Sequence, residues 1–308
     1  NCVSYGNTQN GFLVAESSNV NISNCRVYSN TQSGIWFISE CRNSSVTGCN
    51  IGGSSGGNGW PGIILSGSCS DIALRNNTVS WNGAEGIKID DHCANTFIED
   101  SVIADNTYSG ILVTGSSGSS SILNNTILGN QQNGIWLMGA SDNRIHNNTI
   151  GTNASGSVYG NRWCGVLVSS GSTDNFIGGD TASLGNLIVN NHAEGVKVDG
   201  WDTIRNLVRF NTYSSNVQGG YRNVNGANQA LPVPYLYPPV TYTSPQQVTV
   251  HGLGTPGTVV DIYISDSQTD KTQARYYKGT VEPDAEGEFS FTFDYDHPGQ
   301  VITAVAHD

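Results

Sequence analysis

Charged residues make up only 12% of this 308-residue chain, and basic ones are the rarer kind: 13 Lys and Arg against 25 Asp and Glu, a formal net charge of −12. No stretch gathers Lys and Arg into a cluster, which excludes the electrostatic footprint of a nucleic-acid binder or of a protein drawn to anionic membranes. No run of about 18 apolar residues exists to span a bilayer. No basic, apolar leader of the secretory kind opens the chain. It starts at Asn1-Cys2-Val3, already inside the repeat described below, which leaves room for a leader and further coils upstream. Phosphate-binding loops and CxxC zinc signatures are also absent.

In place of charge the chain has Gly, Asn and Ser, with Ile, Val and Leu at regular intervals. Scattered, such punctuation would read as disorder; here it is periodic. Eight times the sequence writes Asn, three residues, Gly and a short apolar run, from Asn7…Gly11-Phe-Leu-Val to Asn191…Gly195-Val-Lys-Val, with a weaker ninth copy at Asn216…Gly220-Tyr-Arg-Asn. The glycines lie 23, 28, 24, 24, 24, 31, 30 and 25 residues apart. A period of that size means stacked repeats. Each repeat holds a second apolar element before its Asn, as in Leu74-Arg-Asn76-Asn-Thr-Val79 and Ile145-His-Asn147-Asn-Thr-Ile150. Short strands and tight turns without helical periodicity predict a parallel β-helix of eight or nine coils. The Asn positions are expected to form ladders at the corners, and Gly to stand where φ must be positive.

With those residues in view, the chain resembles the right-handed parallel β-helix proteins of the pectin-lyase-like superfamily. The stretch Asn148-Thr-Ile-Gly-Thr-Asn153…Gly160-Asn161…Gly165-Val-Leu-Val…Asn175-Phe-Ile-Gly-Gly179…Asn191 is similar to the long-coil repeat of secreted and surface β-helix proteins. The resemblance covers residues 1–225 and implies an extracellular or cell-surface setting. It does not select a chemistry, since lyases, hydrolases, epimerases, adhesins and spacers share the architecture. Six Asn-x-Ser/Thr sequons, at Asn21, Asn43, Asn76, Asn124, Asn147 and Asn153, are compatible with that setting.

Used as a ruler, the repeat places Cys2, Cys25 and Cys49 in one column and Cys41, Cys69 and Cys93 in another, with Cys164 apart. Adjacent coils bring Cα atoms within disulfide range, but three per column cannot all pair. Buried free thiols and a bridge within either column both remain open.

The repeat fades after Gly220. Residues 226–240 form a linker with a Pro-rich core, Leu231-Pro-Val-Pro-Tyr-Leu-Tyr-Pro-Pro239, and residues 241–308 follow as a second domain. Its short alternating strands, Val248–Val250, Val259–Ile264, Gly287–Phe293 and Gln300–Ala306, predict a small β-sandwich. It resembles the immunoglobulin-like modules of surface proteins and is expected to cap the open coil end. Asp284 and Glu286 are either a calcium site or a solvated acidic turn. The fold class is therefore all-β: a single-stranded right-handed solenoid followed by a sandwich.

In the strand after each Gly, positions +1 and +3 face inward and +2, +4 and +6 outward. The +2 row reads Leu13, Trp36, Ile64, Lys88, Leu112, Trp136, Leu167, Lys197, unusually apolar for a solvent face, and predicts contact with a loop, a subunit or a ligand. Trp60 and Trp163 each precede their Gly by two residues, and flat aromatic faces along a groove suit sugar rings. Only two lysines occur before residue 231, and both fall in one phrase: Ala84-Glu85-Gly-Ile-Lys88-Ile-Asp90 and Ala193-Glu-Gly-Val-Lys197-Val-Asp199. The first continues to Asp91 and His92, the second to Trp201. The two stand four coils, roughly 19 Å, apart, too far for one catalytic centre.

These residues support a polysaccharide-binding or adhesive surface module that uses Trp36, Trp60, Trp136, Trp163, Lys197, Asp199 and Trp201. A second reading is a polysaccharide lyase or glycoside hydrolase. Lys88 or His92 would be its base, Asp90 and Asp91 its calcium ligands, or Asp90 with Glu85 or Asp91 its carboxylate pair. A plainer reading makes the Lys–Asp pair surface decoration, copied when a coil duplicated. A third function is a filament or sheath subunit that self-assembles through open coil ends. No cofactor or resident metal is expected beyond the calcium alternative.

Overall fold

The computed structural model describes residues 1–230, 234–237, 241–244, 247–265, 274–295 and 301–307. Most of the proline-rich run at 231–239, and the Gln300 start of the last expected strand, lie outside the described residues. Three long parallel sheets wind into a solenoid. The first has nine strands, from Val3–Tyr5 to Thr212–Ser214; the second has nine, from Phe12–Ala15 to Tyr221–Val224; the third has eight, from Asn21–Ser23 to Leu207–Arg209. Coils are numbered one to nine by their second-sheet strands.

The alternation expected after each Gly is observed. In coil two Ile35 and Phe37 are fully buried, as are Ile87 and Ile89 in coil four and Val196 and Val198 in coil eight. These residues fill a continuous core that runs the length of the solenoid. Stacking matters because one coil alone cannot bury its apolar face.

The Asn of each repeat forms one column of nine, Asn7 to Asn216. Each Nδ2 donates to the Oδ1 of the next Asn at 2.7–3.0 Å. Each backbone N–H donates to that same Oδ1 at 3.1–3.3 Å. Buried corner amides are thereby satisfied coil by coil. A second column joins Asn125, Asn148, Asn186 and Asn211 at 2.8–3.0 Å.

The expectation for the motif glycines is corrected. None of the nine has a positive φ. Their reason is space: a Cβ on Gly110 would sit 2.7 Å from the Gly134 carbonyl oxygen and 2.8 Å from Asn130 Nδ2. Left-handed backbone falls instead on corner residues such as Asn76, Asn124 and Asn147, at φ 54, 57 and 55°, which Asn tolerates.

All seven cysteines are free; Cys2 is exposed and the other six are buried. Cys25 and Cys49 begin the second amide column. The Cys25 N–H meets Cys49 Sγ at 3.3 Å, the Cys49 N–H meets Asn77 Oδ1 at 2.9 Å, and Ser101 links Asn77 to Asn125. Burial pushes the thiols of Cys41, Cys49 and Cys164 upward, the last to about 12.

Beyond the solenoid stand two small antiparallel sheets. One contains Tyr235–Leu236, Thr241–Ser244, Gln247–Leu253 and Glu288–Asp294; the other contains Val259–Ser265, Tyr276–Val281 and Val301–His307. Tyr276–Val281 and Thr241–Ser244 were not anticipated from the sequence. Part of the expected linker, Tyr235–Leu236, is a strand paired with Gly252–Leu253. The solenoid also extends slightly past residue 225, since the Asn206 N–H donates to Asn228 Oδ1 at 2.9 Å. Asp284 Oδ1 accepts the N–H groups of Glu286 and Glu288, which closes an acidic turn.

The second domain covers the last coil. Arg209, on the final third-sheet strand, forks onto Asp261 at 2.9 and 3.0 Å, and His307 Nε2 lies 2.9 Å from the same carboxylate. Tyr263 Oη accepts the Phe210 N–H at 3.1 Å, and the Ala274 carbonyl accepts that of Tyr213 at 2.9 Å. Polar backbone at the solenoid end is thus satisfied by the neighbouring domain.

Candidate functional site

The outward face of the second sheet carries the side chains of interest. Register sets Trp36, Ile64 and Lys88 side by side in coils two to four, and Trp136, Leu167 and Lys197 in coils six to eight, with Leu112 between. Trp36 Nε1 donates to Ser66 Oγ on the next coil at 2.8 Å, and Trp136 Nε1 to Ser169 Oγ at 2.9 Å. Each indole therefore reaches across to the following coil. Ile64 and Leu112 point outward yet are only 8% and 5% exposed, sheltered between larger neighbours.

Both lysines are ion-paired within their own strand: Lys88 Nζ to Asp90 Oδ2 at 2.7 Å and Lys197 Nζ to Asp199 Oδ2 at 2.9 Å. Hydrogen bonding to Asp199 raises the Lys197 ammonium. Burial pushes the Asp199 carboxyl upward, but Lys197 and Asn225 outweigh it and hold the group below its usual range.

The surroundings of the two phrases differ. Around the second, a hollow of about 520 Å³ opens, lined by Trp163, Glu194, Lys197 and Arg222 over a floor that includes Asn133 and Cys164. Glu194 is 3% exposed; it takes Arg222 Nη1 at 3.5 Å and Cys164 Sγ at 3.5 Å. Asn133 Oδ1 accepts the Cys164 N–H, while its buried Nδ2 has no partner. Ser33 and Ser109, which also directly precede their Gly, likewise bury an unpartnered side-chain oxygen, so this orphaned group belongs to the interior of the repeat. Around the first phrase Glu85 is half-buried, and desolvation raises its carboxyl.

The three-group alternation expected over Lys88, Asp90 and His92 is corrected. The strand ends at Ile89, and Asp91 and His92 both adopt left-handed backbone, φ 54 and 62°, because the chain turns a corner there. His92 pairs with Asp91 at 3.3 Å, with both side chains largely exposed. Asp90 is engaged on both oxygens, by Lys88 and by the Asp91 N–H. Among the described residues no group of three or more His, Cys, Asp and Glu is arranged to hold a metal ion.

The right handed beta helix region family matches residues 56–231, more than half of the chain. The chain belongs to this family. Among solved structures it is similar to the A-module of mannuronan C-5 epimerase AlgE4 from Azotobacter vinelandii. Identity is 19% and the TM-score 0.57, over 71% of this chain and 62% of that one. It is also similar to the AlgE6 A-module of the same organism, at 18% identity and TM-score 0.51, over 72% and 56%. The chain thus spans less than two thirds of each neighbour's length, and the likeness is one of fold. No curated protein matches the sequence.

Within this β-helix, Trp60 and Trp163 are 46% and 47% exposed on the corner that precedes the second sheet. Tyr108 occupies the corresponding position of coil five, and the sequence reading passed it over. Backbone bonds join these corner residues from coil to coil, Gln132 to Tyr108 and Trp163 to Gln132. Trp201 is 80% exposed on a turn beyond Asp199 and does not line the hollow. Glu194, Arg222 and Asn133 were also missed. Glu194 repeats the place of Glu85, and Arg222 continues the +2 row into coil nine in register with Lys197; both signals were present in the repeat.

Proposed function

We propose that this is an extracellular or cell-surface protein that binds polysaccharide through the outward face of its second sheet, in an adhesive role. The hollow rimmed by Trp163, Lys197 and Arg222 carries the reading. A sugar ring offers an apolar face for an indole and hydroxyls for charged groups, and this rim supplies both partners. The mannuronan epimerases that share the fold act, by their names, on a polysaccharide, which supports the ligand class. No helix is long and apolar enough to cross a membrane among the described residues.

A lyase or hydrolase at Lys88, Asp90 and His92 is the weaker reading. A general base must reach its proton with a free lone pair. Lys88 and Asp90 hold each other, while His92 stands on the turn beyond the strand. Calorimetric titration with a polysaccharide panel tests the preferred function. Binding is expected, with a loss of about tenfold or more in Trp163→Ala and Lys197→Ala. Unchanged affinity in both variants would remove the hollow from the site, and product release from any polymer would restore the enzyme reading.

A further inference from the structure

The second sheet repeats at two levels. Coil by coil it repeats the Asn–Gly phrase, and every four coils it repeats its outward side chains. Trp36, bonded to Ser66, stands two coils before the Lys88–Asp90 pair; Trp136, bonded to Ser169, stands two coils before Lys197–Asp199. The corner tryptophans fit the same scheme, Trp60 in coil three and Trp163 in coil seven. Duplication of a single coil would copy the Lys–Asp phrase alone. What is copied is a block of four coils, including the hydrogen bond that fixes each indole.

The chemistry of the block selects a ligand. Each ammonium is neutralised by its own strand's carboxylate, Glu85 adds a further carboxylate beside the first pair, Arg222 answers Glu194 beside the second, and the chain carries −12 overall. Nothing in that balance attracts a polyanion. A donor of three N–H bonds beside an acceptor carboxylate instead matches neighbouring hydroxyls of an uncharged sugar, each of which donates and accepts. The indoles supply the surface for the ring's apolar face.

Spacing selects its orientation. Neighbouring strands lie about 4.8 Å apart, close to the advance of one pyranose residue along an extended chain, so equivalent points of the two blocks are about 19 Å or four sugars apart. We propose that coils one to four and five to eight carry two copies of one subsite, the second deepened by the hollow against coil nine, both occupied by a single uncharged polysaccharide chain lying along the solenoid axis. This rests on the polysaccharide-binding reading above and adds the ligand's charge class, its direction and its valence.

Titration with length-fractionated cello-, manno-, xylo- and laminari-oligosaccharides, beside an oligouronate series, tests it with the unmodified protein. In a neutral series, short oligomers are expected to bind two per protein. Oligomers long enough to span both lysines are expected to bind one per protein, about a hundredfold more tightly through the second contact. Trp36→Ala and Trp136→Ala should each abolish that gain while leaving one short oligomer bound. One short oligomer per unmodified protein, or no gain with length, would overturn the two-copy arrangement while leaving polysaccharide binding intact. Preference for the uronate series would overturn the charge class. Binding from no series would overturn this inference and the function beneath it.

Discussion

Inside the solenoid the Asn column is unbroken over nine coils, whereas a few ångströms away the outward row of the second sheet changes at almost every coil: Leu13, Trp36, Ile64, Lys88. Both sets of residues belong to the same short turns and strands. The difference is what each must satisfy. An interior Asn has to match the coils above and below it, so one identity works only if its neighbours share it. An outward side chain need not match every coil and is free to carry chemistry. Repetition at every coil marks what the fold needs, whereas the outward row, repeating only every four coils, is where a ligand can be read.

The largest break in this comparison should come from Asn106→Ala. It takes away the acceptor of Asn82 and the donor to Asn130 and the Val79 carbonyl. Leaving several buried groups unpaired should cost about 4 kcal/mol in chemical denaturation; a loss below about 1 kcal/mol would mean that the column is not what binds the coils. Gly110→Ala comes next, at about 2 kcal/mol, because the added methyl meets backbone of the next coil. If the Ala variant were instead more stable, as at an unstrained glycine, the steric account would fail.

At the capped end a buried ion network joins the last coils to the second domain, so this end should respond to acid more than the amide-stacked middle coils. Burial opposes the Asp261 charge, but His307 and Arg209 outweigh it and hold the carboxyl below its ordinary value. The stabilisation is therefore complete above about pH 4 and is lost as pH falls through the lower folded value. Hydrogen exchange at coil nine should quicken in that window while coils four to six stay protected; uniform loss of protection would contradict a local latch. On the outward row, Lys197→Ala should change stability by about 0.5 kcal/mol or less even as sugar binding weakens. Glu85→Gln should raise the melting temperature slightly near neutral pH, since burial disfavours the ionised carboxyl there. A fall would show that its charge is used.

The solenoid was largely legible because a column is a sum of repeated positions, and spacing alone aligns Asn7 with Asn216. Side-chain environment was less so. His92 follows Asp90 by two residues, as a strand neighbour would, but two left-handed residues turn it off the face. The motif glycines looked like turn residues, yet the demand on them comes from the neighbouring coil about 24 residues away in sequence, not from their own backbone. Glu194 and Glu85 occupy equivalent places; Arg222 and the rim of coil nine make them different. That rim was hard to read because the ninth repeat departs from the pattern at Tyr221-Arg-Asn.

The asparagine column also has a sense. From Asn7 to Asn191, each bond along the column runs from an Nδ2 to the Oδ1 of the next, higher-numbered coil, never the reverse. The amide dipoles therefore lie parallel, and each polarises the next. Such a column is a vector rather than a stack. Another β-helix could extend it only head to tail, donors meeting acceptors, because a head-to-head joint would set like groups against each other. Any joint of that kind is heterologous, the class that builds rings or open fibres and not closed two-fold dimers.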